Sequence, residues 1–210
     1  MIPTRAKRLT VLLLPAIFAA GCLQASINPL FTPDDARFDD GIVGKWRCGS
    51  DTWTITRATV EKDAKEYAGR SYAEIEIAGG DDVLKMVALV GRLGNADFAT
   101  FMPDDIRGTR NSFFDAHVVG ASTFGRILIE PNRIRLAMLD DQWVRDAIEK
   151  HRAGGLTLSS FTRVLTSPTK DLQQFARAHA NDDKAFSTTL VLVRDLPGAD
   201  IESSHCGNGK

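Results

Sequence analysis

Short runs in which apolar and polar residues alternate recur along most of this chain, and they constrain its fold more than any other feature. In 71–78 the apolar residues Ala73, Ile75 and Ile77 stand at every second position. A period of two places such side chains on one face of a β-strand, and a turn such as 79–82 then separates it from the next strand. Strands are predicted over 42–48, 52–57, 71–78, 83–93, 97–102, 124–130, 133–139 and 187–194. Of these, 83–93 is a long apolar strand and 187–194 contains a continuous apolar run, which suggests burial on both faces.

Two segments between the last two predicted strands have the helical period instead. Asp140 precedes a stretch whose apolar side chains recur at helical spacing, and Gly154 ends it. Ser167 and Pro168 are the predicted N-cap and first turn of a second helix. The predicted fold class is therefore mainly β (α+β), with two helices inserted before the last strand.

The strands must either close into a barrel or stack as a sandwich. Gly44-Lys45-Trp46, on the first predicted strand, resembles the G-x-W motif of lipocalins. In that family the tryptophan closes one end of the barrel and an arginine from the last strand lies across the indole, a role that the resemblance gives to Arg194. We therefore predict an antiparallel lipocalin-like β-barrel or a strongly curved sheet. The two helices before the last strand differ from the usual lipocalin layout, which has one helix after it.

Residues 1–21 have the layout of a secretory signal peptide. Arg5, Lys7 and Arg8 precede an almost entirely apolar run over 9–20. This run is about a dozen residues long, whereas a membrane-spanning helix needs about 20. It ends in Ala19-Ala20-Gly21-Cys22, which resembles the lipobox of bacterial lipoproteins.

The lipobox implies that Cys22 becomes the first mature residue and carries acyl chains on its sulfur and amine. Two or more chains, at about 0.8 kcal/mol per buried CH₂, anchor a protein stably where one chain does not. The membrane is therefore an expected partner, and the expected address is the bacterial cell envelope. Leu23 stands where an aspartate resembles an inner-membrane retention signal, which favours the outer membrane facing the periplasm if the cell is Gram-negative. The alternative is an ordinary cleaved signal with a cysteine nearby.

The start of the mature chain carries a further resemblance. Residues 28–32 (Asn-Pro-Leu-Phe-Thr), a few acidic residues and 42–46 (Ile-Val-Gly-Lys-Trp) resemble the "NPLYT…D…LVGTW" opening of an uncharacterised family of bacterial lipoproteins. That family implies an address and a domain, and no established activity. Prolines and polar residues favour an irregular backbone after Cys22. The predicted organisation is a signal peptide over 1–21, a lipidated tether over 22–37, a single β-rich domain over 38–196 and a C-terminal tail over 197–210.

Two further cysteines, Cys48 and Cys206, follow Cys22. Export places them in an oxidising compartment, where a pair is usually bridged, so we predict a disulfide that ties the first strand to the C-terminal tail. The alternative is two free thiols. Two cysteines alone make a poor zinc site, and no metal or other cofactor is expected.

Net charge and motifs exclude some classes of function but do not identify one. The net charge of −1 does not indicate the basic face that nucleic-acid binding requires. Asp115 and His117 stand two apart in a stretch with no clear period, and as a base and its orienter they would support a hydrolase. Neither a G-x-S-x-G nor an H-E-x-x-H motif occurs in the sequence, so no catalytic residue is assigned.

Two hypotheses therefore lead. In the first, the protein is a structural or interaction module whose surface binds another envelope protein. In the second, the barrel is a lipocalin-like carrier of an apolar ligand. A cavity of several hundred Å³ favours the carrier, and a filled interior together with an exposed apolar patch favours the module. The residues predicted to contact a ligand are Trp46, Trp53, Met86, Val90, Phe98 and Leu136.

Overall fold

A computed structural model of the protein describes residues 23–61, 68–104, 120–152, 156–159 and 163–206. Its strands are β1 (Ala25–Ser26), β2 (Gly44–Cys48), β3 (Asp51–Thr59), β4 (Ser71–Gly79), β5 (Asp82–Leu93), β6 (Ala96–Pro103), β7 (Ser122–Glu130), β8 (Arg133–Leu139) and β9 (Phe186–Arg194). Two helices, α1 (Asp141–Glu149) and α2 (Thr169–Ala178), lie between β8 and β9, and 3-10 turns span Asp40–Ile42 and Ile201–Ser203. The bounds of the eight long strands agree with the prediction to within two residues.

Eight of the strands close into an antiparallel barrel. They are neighbours in the order β2, β3, β4, β5, β6, β7, β8 and β9, and β9 returns to β2. The closing contact is short, since only Trp46 with Arg194 and Arg47 with Val193 are paired between β2 and β9. The short strand β1 pairs with the start of β7 on the outside of this ring. The predicted lipocalin-like barrel, with two helices before its last strand, is confirmed.

The barrel wall separates two hydrophobic clusters. The inner cluster fills the barrel, and every barrel strand contributes to it. The outer cluster lies between the outside of the barrel, the two helices and the chain that precedes β2. Strand β6 contributes to both clusters. Ala99 and Phe101 belong to the inner cluster, and Phe98 belongs to the outer one. A strand that is covered on both faces is buried at consecutive positions, as 98–101 are.

The two helices begin with different caps. The side chain of Asp140 caps α1 as predicted, since its Oδ1 accepts a hydrogen bond from the N–H of Trp143 at 2.8 Å. Helix α2 has Pro168 at its N-cap and no side-chain cap. The prediction of Ser167 as the cap was wrong, because its hydroxyl accepts a hydrogen bond from the N–H of Thr157 at 2.7 Å instead. The buried Ser167 side chain thus joins two loop segments rather than starting a helix.

The segment 23–37, which the sequence predicts as part of a tether, is packed onto the outside of the barrel. Leu30 and Phe31 are 0% and 1% exposed. Gly91 makes room for the aromatic ring, since a Cβ there would lie 2.6 Å from Cε1 of Phe31. The N–H of Leu30 also donates to Oγ1 of Thr100 at 3.3 Å. The segment predicted as a lipidated tether is thus docked on the barrel, because burying each large apolar side chain contributes about 1.5–3 kcal/mol, which holds even an irregular backbone in place.

Replacing Gln173 by Ala is expected to lower the free energy of unfolding by about 0.5–1.5 kcal/mol. Gln173 on α2 fastens this segment, because its Nε2 donates to the carbonyl oxygen of Leu30 at 3.0 Å and to Oδ2 of Asp35 at 3.2 Å. Gln142→Ala is the matched control, since Gln142 bonds to side chains of its own helix α1. Urea unfolding followed by far-UV circular dichroism measures both, and equal losses in the two variants would contradict the fastening role.

Candidate functional site

One end of the barrel is closed by the guanidinium of Arg194, which stacks on Trp46. Trp46 is 0% exposed, and its Nε1–H donates to the carbonyl oxygen of Ile42 at 2.8 Å. The Cζ atom of Arg194 lies 4.1 Å from the centroid of the indole. The same guanidinium donates to the backbone carbonyl oxygens of Gly41, Val43 and Pro131, at 3.0, 3.1 and 2.8 Å. The cation–π contact predicted for Arg194 is therefore confirmed.

Gly44 is required where the chain passes this stack. Its φ of +138° is one that other residues rarely adopt. A Cβ at this position would lie 2.6 Å from Nη1 of Arg194. Gly44, Arg194 and Trp46 thus depend on one another at the closed end, because only a glycine at position 44 leaves room for the arginine that covers the indole.

The middle of the barrel is filled by side chains. The cavity that remains has a volume of about 20 Å³ and is lined by apolar residues of the inner cluster. Ligand pockets typically measure roughly 300–1,000 Å³, and about 10–15 Å³ already accommodates one water molecule. The cavity formed by the described residues of the barrel is therefore too small for a lipid or another ligand of comparable size.

Five of the residues predicted to contact a ligand do face the inner cluster. Trp53, Val90 and Leu136 line the small central cavity. Trp46 lies beneath Arg194 at the closed end, and Met86 packs half-buried against the same cluster. In the filled barrel, four of these side chains are buried members of the inner cluster, and Met86 packs at its edge.

Phe98, the sixth, lies on the other side of the barrel wall. Its ring centroid is 5.5 Å from that of Phe186, in an edge-to-face contact within the outer cluster. Placing Phe98 among the residues of the interior was wrong, because its neighbour Ala99 faces inward and successive side chains of a strand point to opposite faces.

The predicted disulfide joins Cys48 to Cys206, with their Cα atoms 5.1 Å apart. Cys48 is 0% exposed at the end of β2. The C-terminal tail also pairs with β9, since the backbone of His205 and Val191 exchanges hydrogen bonds of 2.6 and 2.9 Å. The tail is thereby fastened beside the short contact through which β2 and β9 close the barrel.

An apolar groove lies on the outside of the barrel, between the N-terminal segment and strands β3 to β6. It measures about 620 Å³, and Phe31, Tyr72, Leu89 and Met102 are among its lining residues. Burial raises the pKa of Tyr72, and the carboxylate of Glu74, which accepts a hydrogen bond from the hydroxyl at 3.3 Å, raises that pKa further. Sequence reasoning missed this groove because one of its walls is the segment that was predicted to be a tether.

Two further shifted pKa values belong to the partners of one exposed ion pair. Arg92 donates to the two carboxylate oxygens of Asp97 at 2.8 and 2.7 Å. These hydrogen bonds lower the pKa of Asp97 and raise that of Arg92. The pair joins β5 to β6 at the surface, and exposed pairs of this kind contribute little to stability, about 0.2–1 kcal/mol.

Several residues singled out in the sequence lie outside the described residues. They are those of the predicted signal peptide over 1–21, Cys22, which directly precedes Leu23, Asp115 and His117 within 105–119, and Gly154, the predicted end of the first helix. In the part of the chain that the structure describes, no group of three or more His, Cys, Asp or Glu side chains is placed to hold a metal ion. Nor does any helix in that part have the length and the apolar character needed to cross a membrane. No protein-family model, no curated protein and no solved structure matches the chain.

Proposed function

We propose that this protein is a lipid-anchored lipoprotein of the bacterial cell envelope and that its barrel is a structural or interaction module. The filled interior is the observation that supports the module. A cavity of about 20 Å³ leaves a carried ligand no space. A barrel of this kind acts through its outer surface, which it presents as a rigid body.

Two contacts that stabilise the barrel agree with the role of a rigid module. Arg194 covers Trp46 at the closed end, and the Cys48–Cys206 disulfide holds the tail beside β2. Disulfides persist in oxidising compartments such as the periplasm, which agrees with export.

The address is supported by the sequence. The basic start, the short apolar run and Cys22 after Ala19-Ala20-Gly21 resemble a lipoprotein signal, and 28–46 resembles the opening of mature lipoproteins. Acyl chains on Cys22 bind the protein to the membrane. The partner of the module is then another protein of the cell envelope.

Cys22→Ser is expected to abolish the incorporation of labelled palmitate and to release the protein from the membrane fraction, because the thiol is the attachment point of the lipid. Metabolic labelling of cells that express the full chain, followed by fractionation, measures both effects. Cys206→Ser is the matched control, since it replaces a cysteine outside the lipobox and is expected to keep the label. Palmitate in the Cys22→Ser variant at the wild-type level would contradict the address.

A carrier of an apolar ligand is the second candidate, and the closed end with its Trp46–Arg194 stack favours it because the G-x-W motif resembles that of lipocalins. Native mass spectrometry of the delipidated protein separates the two candidates. The module is expected to show the bare protein mass in repeated preparations. A stoichiometric lipid that co-purifies with the protein would overturn the module in favour of the carrier.

A further inference from the structure

In the segment that directly follows Cys22, polar side chains are buried and large apolar side chains are exposed. Gln24 and Ser26 are 2% and 0% exposed, whereas Leu23 and Ile27 are each 43% exposed. Side chains of an extended chain alternate between two faces, so Leu23, Ala25 and Ile27 share the outward face. A buried polar residue next to an exposed large apolar one is the opposite of what water favours. We call the outward side chains of Leu23, Ala25 and Ile27 the 23–27 face.

Hydrogen bonds on both sides hold the segment in this orientation. The Ala25 carbonyl accepts from Leu165 N–H, and Ile27 N–H donates to the Leu165 carbonyl, both at 2.9 Å. On the other side β1 pairs with the start of β7, where the hydroxyl of Ser122 donates to the carbonyl of Ser26 at 3.1 Å. The segment therefore cannot turn its apolar residues inward without breaking these bonds.

The buried polar side chains are satisfied in the same arrangement. Nε2 of Gln24 donates to the carbonyl oxygens of Ala25 and Arg163, at 2.8 and 3.0 Å. The hydroxyl of Ser26 donates to the carbonyl oxygen of Leu165 at 3.5 Å. Because the polar groups at the inward positions are hydrogen-bonded, the reversed pattern is a stable feature of the fold.

We propose that the 23–27 face lies against the lipid bilayer and sets the orientation of the barrel on the membrane. This inference rests on the proposed acylation of Cys22. Leu23 already forms a backbone bridge with Asp140, and one residue of chain spans at most about 3.6 Å. The acyl chains therefore enter the bilayer beside Leu23, and no free linker separates the barrel from the lipid.

The charges beside the face agree with a lipid surface. Arg163, whose carbonyl accepts from Gln24, is exposed and can contact anionic headgroups. Asp140 is held by hydrogen bonds, since Oδ1 accepts from the N–H of Trp143 and Oδ2 from the hydroxyl of Ser187, each at 2.8 Å. The acyl chains supply the anchorage, and the small apolar face decides which side of the barrel meets the membrane.

Quenching of a fluorophore by spin-labelled lipid tests this orientation. The full chain is expressed with its leader as Ile27→Cys or as Leu196→Cys, labelled with bimane and reconstituted into phosphatidylethanolamine–phosphatidylglycerol vesicles that contain a doxyl lipid. Leu196 is the matched control, since it is 48% exposed and follows Arg194 at the opposite end of β9 from α1. Thr166→Cys, at an exposed position next to Leu165, is a second reporter of the same side should Ile27→Cys fail to fold.

Quenching at residue 27 or 166 is expected to exceed that at residue 196 several-fold. Mass spectrometry of the N-terminal peptide is measured on the same samples. Equal quenching at both ends of an acylated protein would overturn the orientation and leave the proposed address standing. An N-terminal peptide without acyl mass would overturn the proposed address and the orientation with it.

Discussion

Trp46→Ala is expected to lower the free energy of unfolding by about 3–5 kcal/mol, the usual cost of removing a fully buried tryptophan from a core. The indole is 0% exposed, and its loss also leaves the guanidinium of Arg194 without the ring that it covers at 4.1 Å. The carbonyl oxygen of Ile42 loses its 2.8 Å hydrogen bond as well. Urea unfolding followed by far-UV circular dichroism measures the change independently of tryptophan fluorescence.

Two variants separate the causes of that loss. Trp46→Phe keeps an aromatic ring in the core and removes the Nε1–H donor, so we expect a smaller loss than for Ala. Arg194→Met removes the donor to three backbone carbonyl oxygens while it keeps most of the apolar stem. If Trp46→Ala stayed within about 0.5 kcal/mol of the wild type, as surface substitutions do, the closed end would have no structural importance.

Removing the disulfide with Cys48→Ser and Cys206→Ser together is expected to cost about 2–5 kcal/mol. The bond joins residues that are 158 positions apart, so it restricts the unfolded chain strongly in the chain-entropy account. It also holds the tail where His205 pairs with Val191 beside the short β2–β9 contact. Urea unfolding of the double variant and of the wild type, each with and without reductant, measures the contribution.

Reductant is the internal control for this comparison. It should lower the stability of the wild type to that of the double variant and leave the double variant unchanged. A double variant as stable as the oxidised wild type would show that hydrogen bonds such as those of His205 hold the tail without the covalent bond.

Both ends of the described chain are attached to the barrel, and this affects how the module can work. The residues after Cys22 are hydrogen-bonded to the body at once, as Gln24 N–H to the carbonyl of Leu139 at 3.1 Å shows. The tail is held by Cys206. With the lipid anchor that we propose at Cys22, a module attached in this way would reach only partners that come close to the membrane, whereas a protein on a long flexible tether could search a larger volume.

Local patterns were sufficient to predict much of the fold. The hairpin of β7 and β8 is an example, because Ile127 and Ile129 on one strand and Ile134 and Leu136 on the next stand at every second position. Pro131-Asn132 marks the turn between them. The contact of Arg194 with Trp46 was predictable only through the resemblance to lipocalins, since the two residues are far apart in the chain. The disulfide was predictable from the number of cysteines and from the export that the sequence leads us to expect.

The placement of Phe98 and of the N-terminal segment was not predictable in the same way. Phe98 is as apolar as Phe101, and its side of the wall depends on the register of β6 with its neighbours. Leu30 and Phe31 stand in a stretch with no strand or helix pattern, and their burial depends on the space that Gly91 leaves on a strand about 60 residues later.

The sequence by itself determined the strands, the two helices and the cysteine pair, because each depends on residues that are near one another in the chain or on a simple count. Only the tertiary structure decided that the barrel is filled to within about 20 Å³ and that the segment after Cys22 is docked with Leu23 and Ile27 outward. The volume left inside the barrel depends on how side chains from all eight strands pack together once the strands are in register. Which face of the segment points outward depends on the surface against which the segment packs.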